Sequence, residues 1–163
     1  MTISVFLSHS VDDVNILVEI KKEFEDKDVD LYIAEEDIQP GSVLVNKIKQ
    51  AIDKCDIFLV LITKKGSRSN WVNSEIGMAI HAKKRIVPML EKGVDVPSPI
   101  IGLERIEFKI DDTDGAVKSL REFLMKFKNS KDNSAVVDIM KGIEIVLFVI
   151  LGVILLSAIF SKK

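Results

Sequence analysis

The chain has 163 residues and a formal net charge of −2, which leaves room for one ordinary domain plus an accessory segment and supplies no overall basic field for nucleic acid. Its single cysteine, Cys55, excludes an intrachain disulfide framework and a cysteine-based zinc site, and is consistent with a reducing compartment. The first residues, Met1-Thr2-Ile3-Ser4-Val5-Phe6-Leu7, lack a basic region and a long apolar stretch, so they read as a strand and not as a signal peptide.

Apolar runs then alternate with segments of helical period from residue 3 to about 128. The first run, residues 3–8, is followed by a helical face of Val14, Leu17, Ile20 and Phe24, entered through Ser10-Val11-Asp12-Asp13. That entry is a short capping-box pattern with Asp13 in place of the usual glutamate. Residues 29–33 form the second strand, and Leu44, Ile48 and Ile52 mark a second helix. Cys55 falls between that helix and the next strand, where a thiol packs as a small hydrophobe. Residues 57–62, Ile-Phe-Leu-Val-Leu-Ile, are continuously apolar, as a central parallel strand covered on both faces demands. A third helix opens near Asn70-Trp71. Residues 85–90 give a fourth strand, but Pro88 cannot donate to a ladder, which predicts a strand that is short, terminal or peripheral there. Residues 106–110 alternate in polarity, which suits a half-exposed edge. Asp111-Asp112-Thr113 then caps a last helix carrying Val117, Leu120, Leu124 and Phe127.

This order implies an α/β fold: a flavodoxin-like, open, doubly wound, mainly parallel five-stranded sheet over residues 1–128. Ligands on such sheets bind beyond the carboxyl ends of the strands at a topological switch point. Those ends are Ser8-His9-Ser10, residues 34–41 and residues 63–70. Residues 129–141 are polar and read as a linker. Residues 142–161 are expected to be a transmembrane helix, because the run from Ile145 to Phe160 is uncharged and apolar all round. Lys126, Lys128, Lys131 and Lys141 precede that run while Lys162 and Lys163 follow it, which places the domain in the cytoplasm behind a single-pass C-terminal anchor.

The common chemistries of doubly wound folds leave marks that this chain lacks. No glycine-rich turn follows the first strand, no Gly-Lys-Ser/Thr ends a phosphate loop, and no glycine-flanked nucleophile elbow occurs. The central strand ends in Thr63-Lys64 and not in a phosphoacceptor aspartate. What stands out is Trp71-Val72-Asn73-Ser74-Glu75, which sets a carboxylate one helical turn beyond an indole on the same helix face. On spacing alone Glu75 is equally readable as a solvated helix residue, and Trp71 as a packing aromatic.

The ordered motifs from about Ile3 to Phe127 resemble those of a Toll/interleukin-receptor (TIR) domain. Val5-Phe6-Leu7-Ser8-His9-Ser10 is similar to the family's first-strand box. Residues 35–42, Glu-Glu-Asp-Ile-Gln-Pro-Gly-Ser, resemble its BB loop. Residues 57–63 resemble its third-strand box, with Trp71 and Glu75 following at the family's interval, and residues 85–89 resemble its fourth strand. The resemblance is to the prokaryotic NAD+-cleaving type and implies Glu75 as the catalytic residue, with NAD+ as substrate and neither cofactor nor metal. It implies substrate contacts from Trp71, Ser8, His9, Gln39, Pro40 and Gly41. It further implies self-association, and a place in antiviral defence or stress signalling. The products would be nicotinamide with ADP-ribose or a cyclic ADP-ribose signal. One carboxylate suits this reaction, since nicotinamide leaves a pyridinium as a neutral molecule and needs no general acid, unlike the alkoxide of ordinary glycosides. A non-catalytic TIR adaptor and a membrane-disrupting effector are the alternatives.

Overall fold

The computed structural model describes residues 2–25, 29–33 and 44–160, leaving aside the side chains at 14–15, 137–138, 141–142 and 144–160. It forms two units, residues 1–124 and 125–163. The elements in order are β1 (Ile3–Ser8), α1 (Val14–Glu23), β2 (Val29–Ile33), α2 (Leu44–Lys54), β3 (Ile57–Ile62), α3 (Asn70–His81), β4 (Arg85–Glu91), β5 (Ile106–Phe108) and α4 (Asp114–Phe160). The strands lie in the order β2-β1-β3-β4-β5, and every pairing is parallel. The expected five-stranded parallel sheet is therefore present. From β1 the chain steps outward to β2, and from β3 it steps the other way to β4 and β5. β1 and β3 thus flank the switch point.

β3 is apolar throughout because it is buried on both faces. Its alternate residues Phe58, Val60 and Ile62 join Phe6 against Ile48 and Ile52 of α2 and Val72 and Ile76 of α3. On this face Phe6 stacks between Tyr32 and Phe58, its register partners on β2 and β3, with ring centroids 5.5 and 5.4 Å away. Such ring pairs add about 0.5–1.5 kcal/mol beyond their buried area. Val5, Leu7, Leu59 and Leu61 alternate to the other face, and all four are buried. There Ile16, Leu17 and Ile20 of α1 and Val117, Leu120 and Leu124 of α4 are buried as well. Arg121 fastens these two helices, its Nη1 donating to the Glu23 carbonyl at 2.9 Å and to Glu23 Oε1 at 3.1 Å. At the amino edge of the sheet Asp56 sets the β1–β3 register: its N–H donates to the Ser4 carbonyl at 2.8 Å and its Oδ2 accepts from Ser4 N at 3.0 Å.

Pro88, expected where the strand is short, terminal or peripheral, sits inside seven-residue β4 opposite Val60 of β3, and the peripheral alternative is the one that holds. β5 begins to pair only at Met89, so at Pro88 the strand has a neighbour on one side alone and the missing N–H is tolerated. Residues 129–141, expected as a polar linker, lie within α4. They contain neither Gly nor Pro; Asn, Ser and Asp lower helix propensity without breaking it, and Lys favours the helix. Among the described residues, no helix is long and apolar enough to cross a membrane. The side chains of 144–160, which make up most of the expected span, lie outside them.

Candidate functional site

α3 starts at a cap supplied by Ser69, whose Oγ accepts from Val72 N at 3.3 Å. Its buried residues are Val72, Glu75, Ile76 and Ala79, the i, i+3, i+4, i+7 stripe that normally faces a core. Glu75 occupies a place in that stripe where an apolar side chain is usual, and it is 2% exposed. The reading of Glu75 as a solvated helix residue is thereby removed. Facing it is Ser8, the last residue of β1, which alternates to the same side of the sheet as Phe6. Ser8 Oγ donates to Glu75 Oε2 at 2.5 Å. A carboxylate taken out of water costs several kcal/mol unless hydrogen bonds or charges compensate it. Here the Ser8 hydroxyl supplies one such bond, at the switch point of the sheet.

The other sequence-derived candidates are placed as follows. His9 is buried, and its Nδ1–H donates to the Ser10 carbonyl at 2.9 Å. A carbonyl only accepts, so that bond puts the hydrogen on Nδ1. Trp71, one turn before Glu75, is 38% exposed. It stands at the carboxyl edge of the sheet and outside the core. Gln39, Pro40 and Gly41, together with the acidic residues 35–37, lie outside the described residues.

Two further buried carboxylates hold the loops of this edge. Asp13 Oδ2 accepts from Ser10 N at 2.9 Å, which is the reciprocal arm of the expected capping box. Its Oδ1 accepts from Thr63 Oγ1 at 2.5 Å, a contact that the capping pattern does not foretell. Burial raises the Asp13 carboxyl above its ordinary value of 3.8, with the hydrogen bonds from Thr63 and Ser10 acting the other way. Glu91, at the end of β4, accepts from Lys64 N at 2.8 Å and pairs with Lys64 Nζ at 3.3 Å. The loop after β3 is thus gripped by an acid on each side. A cavity of about 260 Å³ opens there, lined by Asp13, Thr63, Lys64, Lys65 and Glu91 among others. A larger one of about 360 Å³ lies elsewhere, along α2 by Ser4, Tyr32, Lys47 and Cys55, and includes none of the candidate residues. Burial also raises the Cys55 thiol, in keeping with a packing role.

Thr63, Gly66 and Glu91 were not singled out from the sequence. A signal existed for Thr63: a hydroxyl closing a fully buried strand needs a partner. Nothing local identifies which residue that partner is.

The model of the family described as TIR domain matches residues 5–122. The chain belongs to the TIR domain family. Solved structures agree on the fold. The TIR domain of the Toll-related receptor TRR-2 from Hydra magnipapillata is 17% identical, over 74% of this chain and 97% of that one, with a TM-score of 0.59. A metazoan TIR-STING receptor from C. gigas, in complex with 2′,3′-cGAMP, is 26% identical over 70% of this chain, with a TM-score of 0.57. The match spans 38% of that receptor's length. The CMP N-glycosidase BcmB of Clostridium botulinum is 18% identical, over 77% of this chain and 98% of that one, with a TM-score of 0.52. No curated protein matches the chain. Within the TIR domain, the matched span begins on β1 and takes in Ser8, Glu75 and both loop-holding acids.

Proposed function

We propose that this TIR domain cleaves the nicotinamide–ribose bond of NAD+, with Glu75 as the catalytic carboxylate. The supporting observation is a glutamate buried in the core stripe of α3 and held by Ser8 Oγ at 2.5 Å, at the switch point where such sheets bind ligands. On cleavage, the bonding electron pair moves to the nicotinamide nitrogen and discharges its pyridinium. The ribose carbon becomes oxocarbenium-like, and an anion fixed beside it stabilises that charge best where water is excluded. Water then adds to that carbon and gives up a proton, leaving ADP-ribose, or an adenine nitrogen of the same substrate molecule closes on it to give a cyclic ADP-ribose. Ser8 orients the carboxylate, Trp71 and His9 border the substrate, and Gln39, Pro40 and Gly41 are substrate contacts on the strength of the family resemblance alone. BcmB contributes no residue role at its level of identity, but the bond named in its activity is of the same N-glycosidic class.

A second reading, a TIR adaptor working by TIR–TIR contact, is favoured by one feature. Val11, Val45 and Trp71 are exposed at the starts of the elements that follow β1, β2 and β3, so they share the carboxyl edge. We also propose that residues 142–161 anchor the protein in a membrane with the TIR domain on the cytoplasmic side. The uncharged run from Ile145 to Phe160, helical throughout, and the lysines before it support this. A membrane-disrupting effector is the third reading, and dye leakage from liposomes would bring it forward.

The deciding measurement is NAD+ consumption by the full-length chain clustered on liposomes. Glu75→Gln preserves shape and hydrogen bonding while removing the charge. It is expected to lower turnover about 10²- to 10³-fold, the scale of losing one preorganised electrostatic contact. Equal rates for the two proteins remove Glu75 from its role. No turnover by the unaltered chain at any clustering density leaves the adaptor reading in place.

A further inference from the structure

Between the loops that flank the Glu75 site runs a relay of hydrogen bonds centred on one acid. Gly66 N donates to Thr63 Oγ1 at 3.0 Å, Thr63 Oγ1 donates to Asp13 Oδ1 at 2.5 Å, and Asp13 Oδ2 accepts from Ser10 N at 2.9 Å. Asp13 is 3% exposed. The loops are in close contact there, for a Cβ added at Gly66 would lie 2.7 Å from Ser10 Cβ and 2.8 Å from Asp13 Oδ2. Ser10 follows His9 and Ser8 directly, so the relay ends at the segment that carries the Glu75 contact.

Capping α1 explains only part of this arrangement. The capping-box pattern accounts for the Ser10 N–H bond and for nothing else that Asp13 does. It does not require Thr63, fifty residues away in the chain, nor a glycine pressed against Ser10. For stability alone, an apolar pair of similar volume would serve as well as a buried acid with its desolvation cost. What a carboxylate adds is direction: it accepts two donors at fixed angles and thereby fixes the separation of the segments that own them.

We propose that Asp13 is a positioning residue for the NAD+ site: linked to Thr63 and Gly66, it locks the β1 loop against the β3 loop and preorganises the walls on either side of Glu75. The activity readout of this inference rests on the proposed NAD+ cleavage. Its geometric content does not.

Position 63 separates a hydrogen-bonding role from a packing role. Thr63→Val keeps the branched shape and loses the hydroxyl, whereas Thr63→Ser keeps the hydroxyl and loses the methyl. In the full-length chain in detergent micelles, Thr63→Val is expected to lower kcat/KM about 10- to 100-fold, the scale of a misplacement of about 1 Å. Thr63→Ser is expected to stay within about threefold of the unaltered protein, since it retains the hydroxyl that Asp13 needs. Hydrogen exchange at the Ser10 and Gly66 amides gives a second readout that needs no turnover. Protection at Gly66 is expected to fall at least about tenfold in Thr63→Val, which removes its acceptor, and protection at Ser10 to fall with it, because Asp13 loses the bond that holds it in place; both are retained in Thr63→Ser. Gly66→Ala wedges the same loops apart without touching a hydroxyl, and should reproduce the kinetic loss even where Thr63→Val fails to fold. Absence of NAD+ turnover in the unaltered chain would sink the function reading and leave the exchange arm to decide the relay. Equal protection in the Val and Ser variants, or better activity in Val than in Ser, would overturn the proposal.

Discussion

Glu75, Asp13 and Glu91 are buried acids on one edge of the sheet, and they differ in what they accept. Asp13 and Glu91 take backbone N–H groups, from Ser10 and Lys64, and so hold loops in place. Glu75 takes the Ser8 hydroxyl, which aims a side chain without constraining a loop. Asp13 also has a pH signature. Its carboxyl titrates above 3.8 in the folded domain because burial disfavours the anion more than the bonds from Thr63 and Ser10 favour it. Between the unfolded and folded values the folded state binds more protons than the unfolded one, so this acid's contribution to stability rises as pH falls. It is lost as pH climbs through the folded value. Urea denaturation of the unaltered protein and Asp13→Asn, run from pH 7 down toward pH 4, should show the difference moving in favour of the unaltered protein. A flat difference would mean that the hydrogen bonds balance burial at this site, and one moving the other way that they outweigh it.

At the scale of elements, the end of α3 is informative. Lys83 N donates to the Ile80 carbonyl at 3.0 Å and Lys84 N to the Ala79 carbonyl at 2.9 Å, the two bonds of a Schellman ending. Lys83 takes the left-handed position with φ of 53°, where glycine is usual. Lys84 then reaches across to cap α2, its Nζ donating to the carbonyls of Asp53 and Cys55 at 2.6 and 2.9 Å. Lys83→Gly should raise stability by about 0.5–1 kcal/mol, the cost of holding a Cβ in that region offset by glycine's extra freedom when unfolded. Thermal melting checks the sign, and a lower midpoint would show that the Lys83 side chain contributes more than its backbone costs. The strands were legible because each is an apolar run whose burial follows from its composition. The end of β1 and the first turns of α3 were legible as candidate site elements because Ser8 and Glu75 carry the family's order of motifs. Lys83 at a glycine position, Pro88 inside β4 and the bond from Thr63 to Asp13 were not. Lys83 is held left-handed by the bonds of its own helix end, Pro88 is admitted because β5 does not yet pair beside it, and Thr63 finds its partner fifty residues away; no periodicity records any of the three. The helix through residues 129–138 was hidden differently, since polarity reports exposure and leaves backbone state open.

For the whole molecule, the proposed anchor changes the physics of association. Chains tethered to a bilayer meet in two dimensions, and tethering raises effective concentration to the millimolar scale without any new contact. If TIR–TIR contact completes the site, turnover per chain must then depend on surface density and not on bulk concentration. With total protein fixed and the protein-to-lipid ratio raised, NAD+ consumption per chain of the full-length protein should climb more steeply than in proportion. A chain ending before residue 142 should stay at its basal rate in the same bulk solution, and recover when tethered artificially to the liposomes. Flotation after an alkaline wash tests the premise separately: the full-length chain should remain with the lipid, and release into the wash would remove the anchor. Should it remain bound while turnover per chain stays constant across densities, each domain carries a complete site. The exposed Val11, Val45 and Trp71 edge would then serve contacts other than catalysis.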